Sequence, residues 1–129
     1  MSLKSLLEER LKLGIERYGH GIIVEEDTKK YGTKSGTWEE MALEEYLDAI
    51  VYCIAAMLKK FPHIEKHMNA YVKDEYDHVY FLSILACDKR LEQFVIIDDC
   101  IEKNRHLSVY INLIYSTVDI AQITFNLFQ

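Results

Sequence analysis

Proline occurs once, at Pro62, and glycine only five times in 129 residues, with no low-complexity tract. A chain so poor in helix breakers leaves room for disorder only at its ends and in one loop. Cysteine is scarce and odd in number. Cys53, Cys87 and Cys100 all lie in apolar runs, and with no signal peptide they read as buried free thiols in a reducing cytoplasm. Positive charge is short as well: the net charge is −6 and the pI near 5.3. That balance argues against a nucleic-acid or anionic-membrane partner, either of which needs a clustered basic face. No uncharged run reaches the roughly 18 residues that span a bilayer. A nucleophile elbow, a Gly-rich phosphate motif and a CxxC pair are all missing, so Ser or Cys nucleophilic chemistry has no support. What is present is apolar: half of the residues are, which predicts one domain over residues 1–129 with a single core.

The organising stretch is Thr37 to Leu58, TWEEMALEEYLDAIVYCIAAML. Thr37 is a good N-cap, and Glu40 three residues on completes a capping box. Leu43, Leu47, Ile50, Ile54, Met57 and Phe61 fall on one helical stripe, while Glu40, Glu44 and Asp48 form a second row and Glu45 sits one turn before Asp48. No charge follows Asp48 until Lys59, so the spacing predicts a helix buried against several neighbours, with Asp48 at the mouth of the buried segment. Like charges at this spacing repel. The helix dipole accommodates Glu39 and Glu40 but does not reach Asp48. Two readings follow: a site for a hard divalent cation such as Mg²⁺ or Mn²⁺, or an ordinary solvated acidic face.

Before this helix, residues 3–18 carry Leu3, Leu7, Leu11, Ile15 and Tyr18 at helical spacing, with Ser2 or Ser5 as the cap. This predicts an amphipathic helix ending at Gly19 and Gly21. Residues 19–36 then form a long Gly-containing loop, with at most a short extended piece at Ile22 to Val24, and long loops in compact domains are usually functional or disordered. The basic residues Arg17, His20, Lys29, Lys30 and Lys34 gather there, either solvated or in contact with phosphate.

After Pro62 the spacing predicts helix to the end, with turns at Asn69 to Asp77, Cys87 to Arg90 and Lys103 to His106. Two core stripes are expected: Tyr80, Ile84, Cys87, Leu91, Phe94 and Ile101, and then Leu107, Ile111, Ile114, Val118, Ala121 and Phe125. Asp74, Glu75, Asp77 and His78 form a second polar cluster, either opposed to the first acidic one or merely a helix start. His63 and His67, four apart on one helix face, read as surface histidines or as a pair that shares a soft metal, and Asp98, Asp99 and Asp119 as satisfied polar residues on or beside the core stripes.

Together, Arg17-Tyr18-Gly19-His20-Gly21, a polar loop, and Trp38-Glu39-Glu40-Met41-Ala42-Leu43-Glu44-Glu45-Tyr46-Leu47-Asp48 resemble phage and viral relatives of the MazG-type all-α nucleoside triphosphate pyrophosphatases, over roughly residues 5–58. The resemblance implies an all-α bundle of four to six helices with the long loop between the first two. It also implies hydrolysis of (d)NTP to (d)NMP and pyrophosphate, with Mg²⁺ or Mn²⁺ on the EExxD carboxylates Glu44, Glu45 and Asp48. The family usually pairs ExxE on one helix with ExxD on the next, and the first helix here has Glu8, Glu9 and Glu16 without that spacing. The other half could come from Asp74 and Asp77 or from a partner chain, or be absent. On this reading Glu40, Glu45 or the Asp74 cluster serves as the base, Arg17 and Lys34 neutralise phosphates, and Tyr18 or Trp38 stacks on the base of the nucleotide. A homodimer or larger assembly is expected, both from the family and from the amount of apolar surface. The expected location is the cytoplasm, that of the host if the protein is viral. Two alternatives stand beside the enzyme: a catalytically inactive helical module that binds a nucleotide or nucleotide signal, and a viral structural or interaction protein.

Overall fold

The computed structural model describes residues 2–96 and 100–127, without the side chains of Glu75 and Tyr76. Among these residues there are six α-helices and no strand: α1 (Leu3–Tyr18), α2 (Trp38–Lys60), α3 (Pro62–Met68), α4 (Glu75–Cys87), α5 (Glu92–Val95) and α6 (Ile101–Asn126). The fold is all-α, as the sequence predicts.

Local chemistry sets the helix ends. Ser2 and Ser5 form a reciprocal capping box at the start of α1, which stops where Gly19 adopts a left-handed φ of 78°. Pro62 takes the first position of α3, where its missing N–H costs nothing. Helix α4 ends on a Schellman motif, in which Arg90 N–H donates to Leu85 O and Lys89 N–H to Ala86 O. The left-handed position there is Lys89, at φ 58°, where glycine is usual. Its ammonium donates to Asp119 at 2.6 Å and to the Tyr115 carbonyl at 3.1 Å, and lies over the Tyr115 ring.

The core is built on α2 and α6, which pack along their length, with α4 against both and α3 in contact with α2, α4 and α5. They run antiparallel: Phe61 at the end of α2 meets Tyr110 near the start of α6, with ring centres 5.7 Å apart, while Leu43 and Leu47 share a groove with Ala121 and Phe125. Ile54, Met57, Ile64, Met68, Leu82, Leu91, Val95, Leu107 and Ile114 are fully buried. Tyr115 ties α5 to α6, its hydroxyl accepting from Leu91 N–H and donating to Glu92. The site's partial burial and the Glu92 carboxylate push the Tyr115 hydroxyl up to about 12.

Several expectations are corrected. α2 is buried on one face only: Ile50, Ile54, Met57 and Leu58 are inside, whereas Val51, Tyr52, Ala55 and Ala56 are exposed, because none of the described elements covers that side of the helix. Asp48 therefore stands in solvent rather than at the mouth of a buried segment. None of the α1 residues is buried, so its apolar stripe is solvent-facing within one chain. Lys103 to His106 continue α6 instead of forming a turn. In α4 the core side is His78, Leu82, Leu85 and Ala86, and Tyr80, Ile84 and Cys87 point outward, as does Ile101. That helix is apolar nearly all round, so periodicity could not choose its inner face. The α6 stripe is as expected through Ala121, but Thr124 is buried where Phe125 was expected. Cys53 is half-buried, and burial pushes its thiol up, whereas Cys87 and Cys100 are exposed; among the described residues no disulfide joins any of them. Asp119 is exposed and ion-paired with Lys89, while Asp98 and Asp99 lie outside the described residues.

Candidate functional site

The loop between α1 and α2 is a folded element. Asp27 caps a 3₁₀ turn at Thr28–Tyr31, its carboxylate accepting from Lys29 N–H at 2.9 Å. Thr28 is fully buried; its hydroxyl pairs with that of Thr33 at 2.7 Å and donates to Thr37 O at 3.1 Å, tying the turn to the start of α2. Trp38 Nε1–H donates to Val24 O at 3.0 Å, fastening the other arm. Gly36 lies at φ 74°, and a Cβ there would come 2.6 Å from Asp27 Oδ1, so any other residue would be strained and would push the capping carboxylate aside.

Glu40 completes the fastening. Thr37 Oγ1 accepts from Glu40 N–H, as a cap should, but the Glu40 carboxylate turns back to the loop rather than to Thr37 N–H. It accepts from Lys34 N–H at 2.8 Å, Ser35 N–H at 2.7 Å and the Ser35 hydroxyl at 2.5 Å. Those donors, the Ser35 hydroxyl first, hold the Glu40 carboxyl below the usual carboxylate range. A carboxylate so engaged makes a weak base and a good clasp.

Between this loop, α1 and the start of α2 lies a cleft of about 220 Å³, lined mostly by apolar side chains. From α1 come Arg10, Leu11, Gly14, Ile15 and Tyr18, from the loop His20, Gly21, Ile22 and Tyr31, and from α2 Trp38 and Met41. Tyr18 and Tyr31 meet edge to face with centres 6.4 Å apart, and Tyr31 and Trp38 lie 6.3 Å apart, giving a wall of three rings. The volume suits one planar ring system and is below the roughly 300–1,000 Å³ of sites that enclose whole ligands.

The acidic motif adjoins this cleft along α2. Trp38, Met41, Glu45 and Asp48 recur at spacings of 3, 4 and 3, which places them on one face, opposite the core side of Ile50 and Ile54. Asp48 lies about 10 Å along the axis from Met41. Glu44, Glu45 and Asp48 are all exposed. Their donor set is hard oxygen, which fits Mg²⁺, an ion that usually takes one or two protein carboxylates and fills its remaining positions with water and phosphate. Among the described residues no group of three His, Cys, Asp or Glu side chains is placed to hold one ion.

The other expected residues are dispersed. Arg17, in the last turn of α1, and Lys34 are exposed, and neither lines the cleft. Lys30 pairs with Glu26, which also accepts from the Tyr31 hydroxyl. Asp74 and Asp77 are exposed at the start of α4, while His78 beside them is buried and donates from Nε2 to Val72 O at 2.6 Å. Of the lining residues, Arg10, Gly14, Tyr31 and Met41 escaped the sequence reading. Gly14 and Tyr18 lie four apart on α1, next to the Leu11 and Ile15 stripe, and that periodicity was the available signal. No protein-family model, curated protein or solved structure matches this chain.

Proposed function

We propose that the protein is a metal-dependent nucleoside triphosphate pyrophosphatase whose nucleotide lies along the outer face of α2. The observation that carries this reading is the continuity of one helical face, from the ring-lined cleft at Trp38 and Met41 to the exposed carboxylates Glu45 and Asp48. The cleft would take a base against the wall of Tyr18, Tyr31 and Trp38, and its small volume leaves sugar and phosphates outside. From there the phosphates run toward Glu45 and Asp48. Arg10, which lines the cleft, would supply positive charge to them. Asp48 with Glu44 or Glu45 would hold Mg²⁺ or Mn²⁺, which when bound screens phosphate charge and lowers the pKa of a coordinated water. With Glu44 as the second ligand, Glu45, exposed on the cleft face, would take the proton from the attacking water. Glu40 keeps the loop closed and so positions Trp38.

The absence of a convergent three-ligand group among the described residues favours one other reading, a binding module without turnover. One assay separates them: pyrophosphate release from a panel of NTPs and dNTPs with Mg²⁺ or Mn²⁺, alongside the fluorescence of Trp38. Ion-dependent release that is lost in Glu45→Gln and Asp48→Asn supports the enzyme. A fluorescence change without release identifies the binding module, and neither signal with any nucleotide overturns both.

A further inference from the structure

α6 carries two heptad seams. Leu107, Ile111, Ile114, Val118 and Ala121 face the core, and residues two positions on repeat the same spacing on the opposite side: Val109, Leu113, Ser116, Ile120, Ile123 and Leu127. Spacings of 4, 3, 4, 3 and 4 are those of an a/d seam that faces another helix. In the single chain this seam is bare: its apolar members are 45 to 70 % exposed, and Ser116 is exposed too. Charge is missing as well. From Leu107 to Leu127 the only charged residue is Asp119, which Lys89 neutralises at 2.6 Å. A helix face meant for water carries charged residues, as α1 does on every turn with Lys4, Glu8, Arg10, Lys12 and Glu16.

We infer that this outer seam of α6 pairs with the α6 seam of a second copy of the chain, antiparallel, about a two-fold axis at the level of residue 118. The seam is symmetric about that level, which is what an isologous contact requires. Val109 falls opposite the partner's Leu127, Leu113 opposite the partner's Ile123, and Ser116 opposite the partner's Ile120. Antiparallel pairing therefore sets the one small polar member against a large apolar one, and it opposes the helix dipoles. Parallel pairing would put Ser116 against itself at mid-seam and align the dipoles. With no charge along the seam, two identical surfaces meet without like-charge repulsion. The exposed parts of the seam side chains amount to roughly 500 Å² per copy and about 1,000 Å² for the pair, the level at which a specific interface becomes credible. The pairing is independent of the nucleotide reading, because the seam lies on α6 and the cleft is built from α1, the loop and the start of α2.

Light scattering of the full chain at about 50 µM gives the first test, with a mass near twice 15.2 kDa expected. Leu113→Glu with Ile120→Glu should return it to the single-chain mass with unchanged helical circular dichroism, whereas Leu3→Glu with Leu7→Glu on α1 should leave the dimer intact. Register is read independently by cross-linking, with Cys53, Cys87 and Cys100 replaced by alanine. Leu113→Cys mixed with Ile123→Cys should form a disulfide-linked pair on oxidation, and neither alone should do so. A wild-type mass of one chain, or a dimer abolished by the α1 changes and not by the α6 changes, overturns the pairing. Cross-linking of Leu113→Cys with itself would show a parallel seam and overturn the antiparallel register.

Discussion

Thr28→Val tests whether the cleft depends on a single buried hydroxyl. The substitution keeps the side chain's shape and deletes its Oγ1, which pairs with Thr33 Oγ1 at 2.7 Å and donates to Thr37 O at 3.1 Å. Each bond contributes about 0.5–1.5 kcal/mol net, so removing both costs about 1–3 kcal/mol, toward the upper end because the 95 %-buried Thr33 loses its partner. Thr28 is in the loop, and the core of α2, α4 and α6 does not involve it. The loss should therefore appear as local opening of residues 19–36, more populated by roughly 5- to 150-fold, with the main thermal transition in place. Two readouts follow it. The amide of Gly32, bonded to Lys29 O at 3.0 Å, should lose hydrogen-exchange protection by that factor. The fluorescence of Trp38, the only tryptophan, should shift toward that of a solvated indole as its bond to Val24 O loosens. Unchanged protection of Gly32 would show that the threonine pair does not hold the loop. A fall in global stability of the same size would show that the loop is part of the cooperative core.

Other perturbations give equally definite outcomes. Because Asp48 is exposed, Asp48→Asn should leave the metal-free melting transition within about 0.5 kcal/mol of wild type. If Asp48 holds Mg²⁺, the same change removes the stabilisation that Mg²⁺ gives the wild-type chain, and a mutant still stabilised by Mg²⁺ takes Asp48 out of the site. At Lys89 both Ala and Gly lose the Asp119 bond, but only Ala keeps a side chain at φ 58°, so the Gly variant should be more stable than the Ala variant by about 1–2 kcal/mol in thermal melts. Glu40 makes the loop acid-sensitive: with its folded-state carboxyl below 4.5, its contribution is complete above that pH and is lost as pH falls through the lower folded value. Acid titration of Trp38 fluorescence should show this opening, and Glu40→Gln should flatten it.

The parts of this protein that depend on neighbours in the chain were readable from residue order. α1 and α2 begin and end within two residues of their expected places, because Ser2, Gly19 and Thr37 act on backbone groups a few positions away. The helical second half followed from missing glycine and proline, and the break after α3 from the polar stretch that begins at Asn69. The acidic row of α2 was likewise visible, since helical geometry places Glu45 and Asp48 on one face whatever lies beside it. Which faces are covered was settled only in three dimensions. A stripe states that side chains share a direction and says nothing of what lies in that direction, so Leu3, Leu7 and Leu11 looked like core and are exposed. The same holds for Val51 and Tyr52, apolar on the uncovered side of α2. The site depends on contacts between distant residues: Trp38 fixed on Val24, Glu40 closing on Lys34 and Ser35, and Thr28 bound to Thr37. The sequence marked residues 19–36 as a loop that was either functional or disordered. Only its closure onto α2 decided that it is folded, because burial of the Thr28 hydroxyl is compensated only when both arms come together.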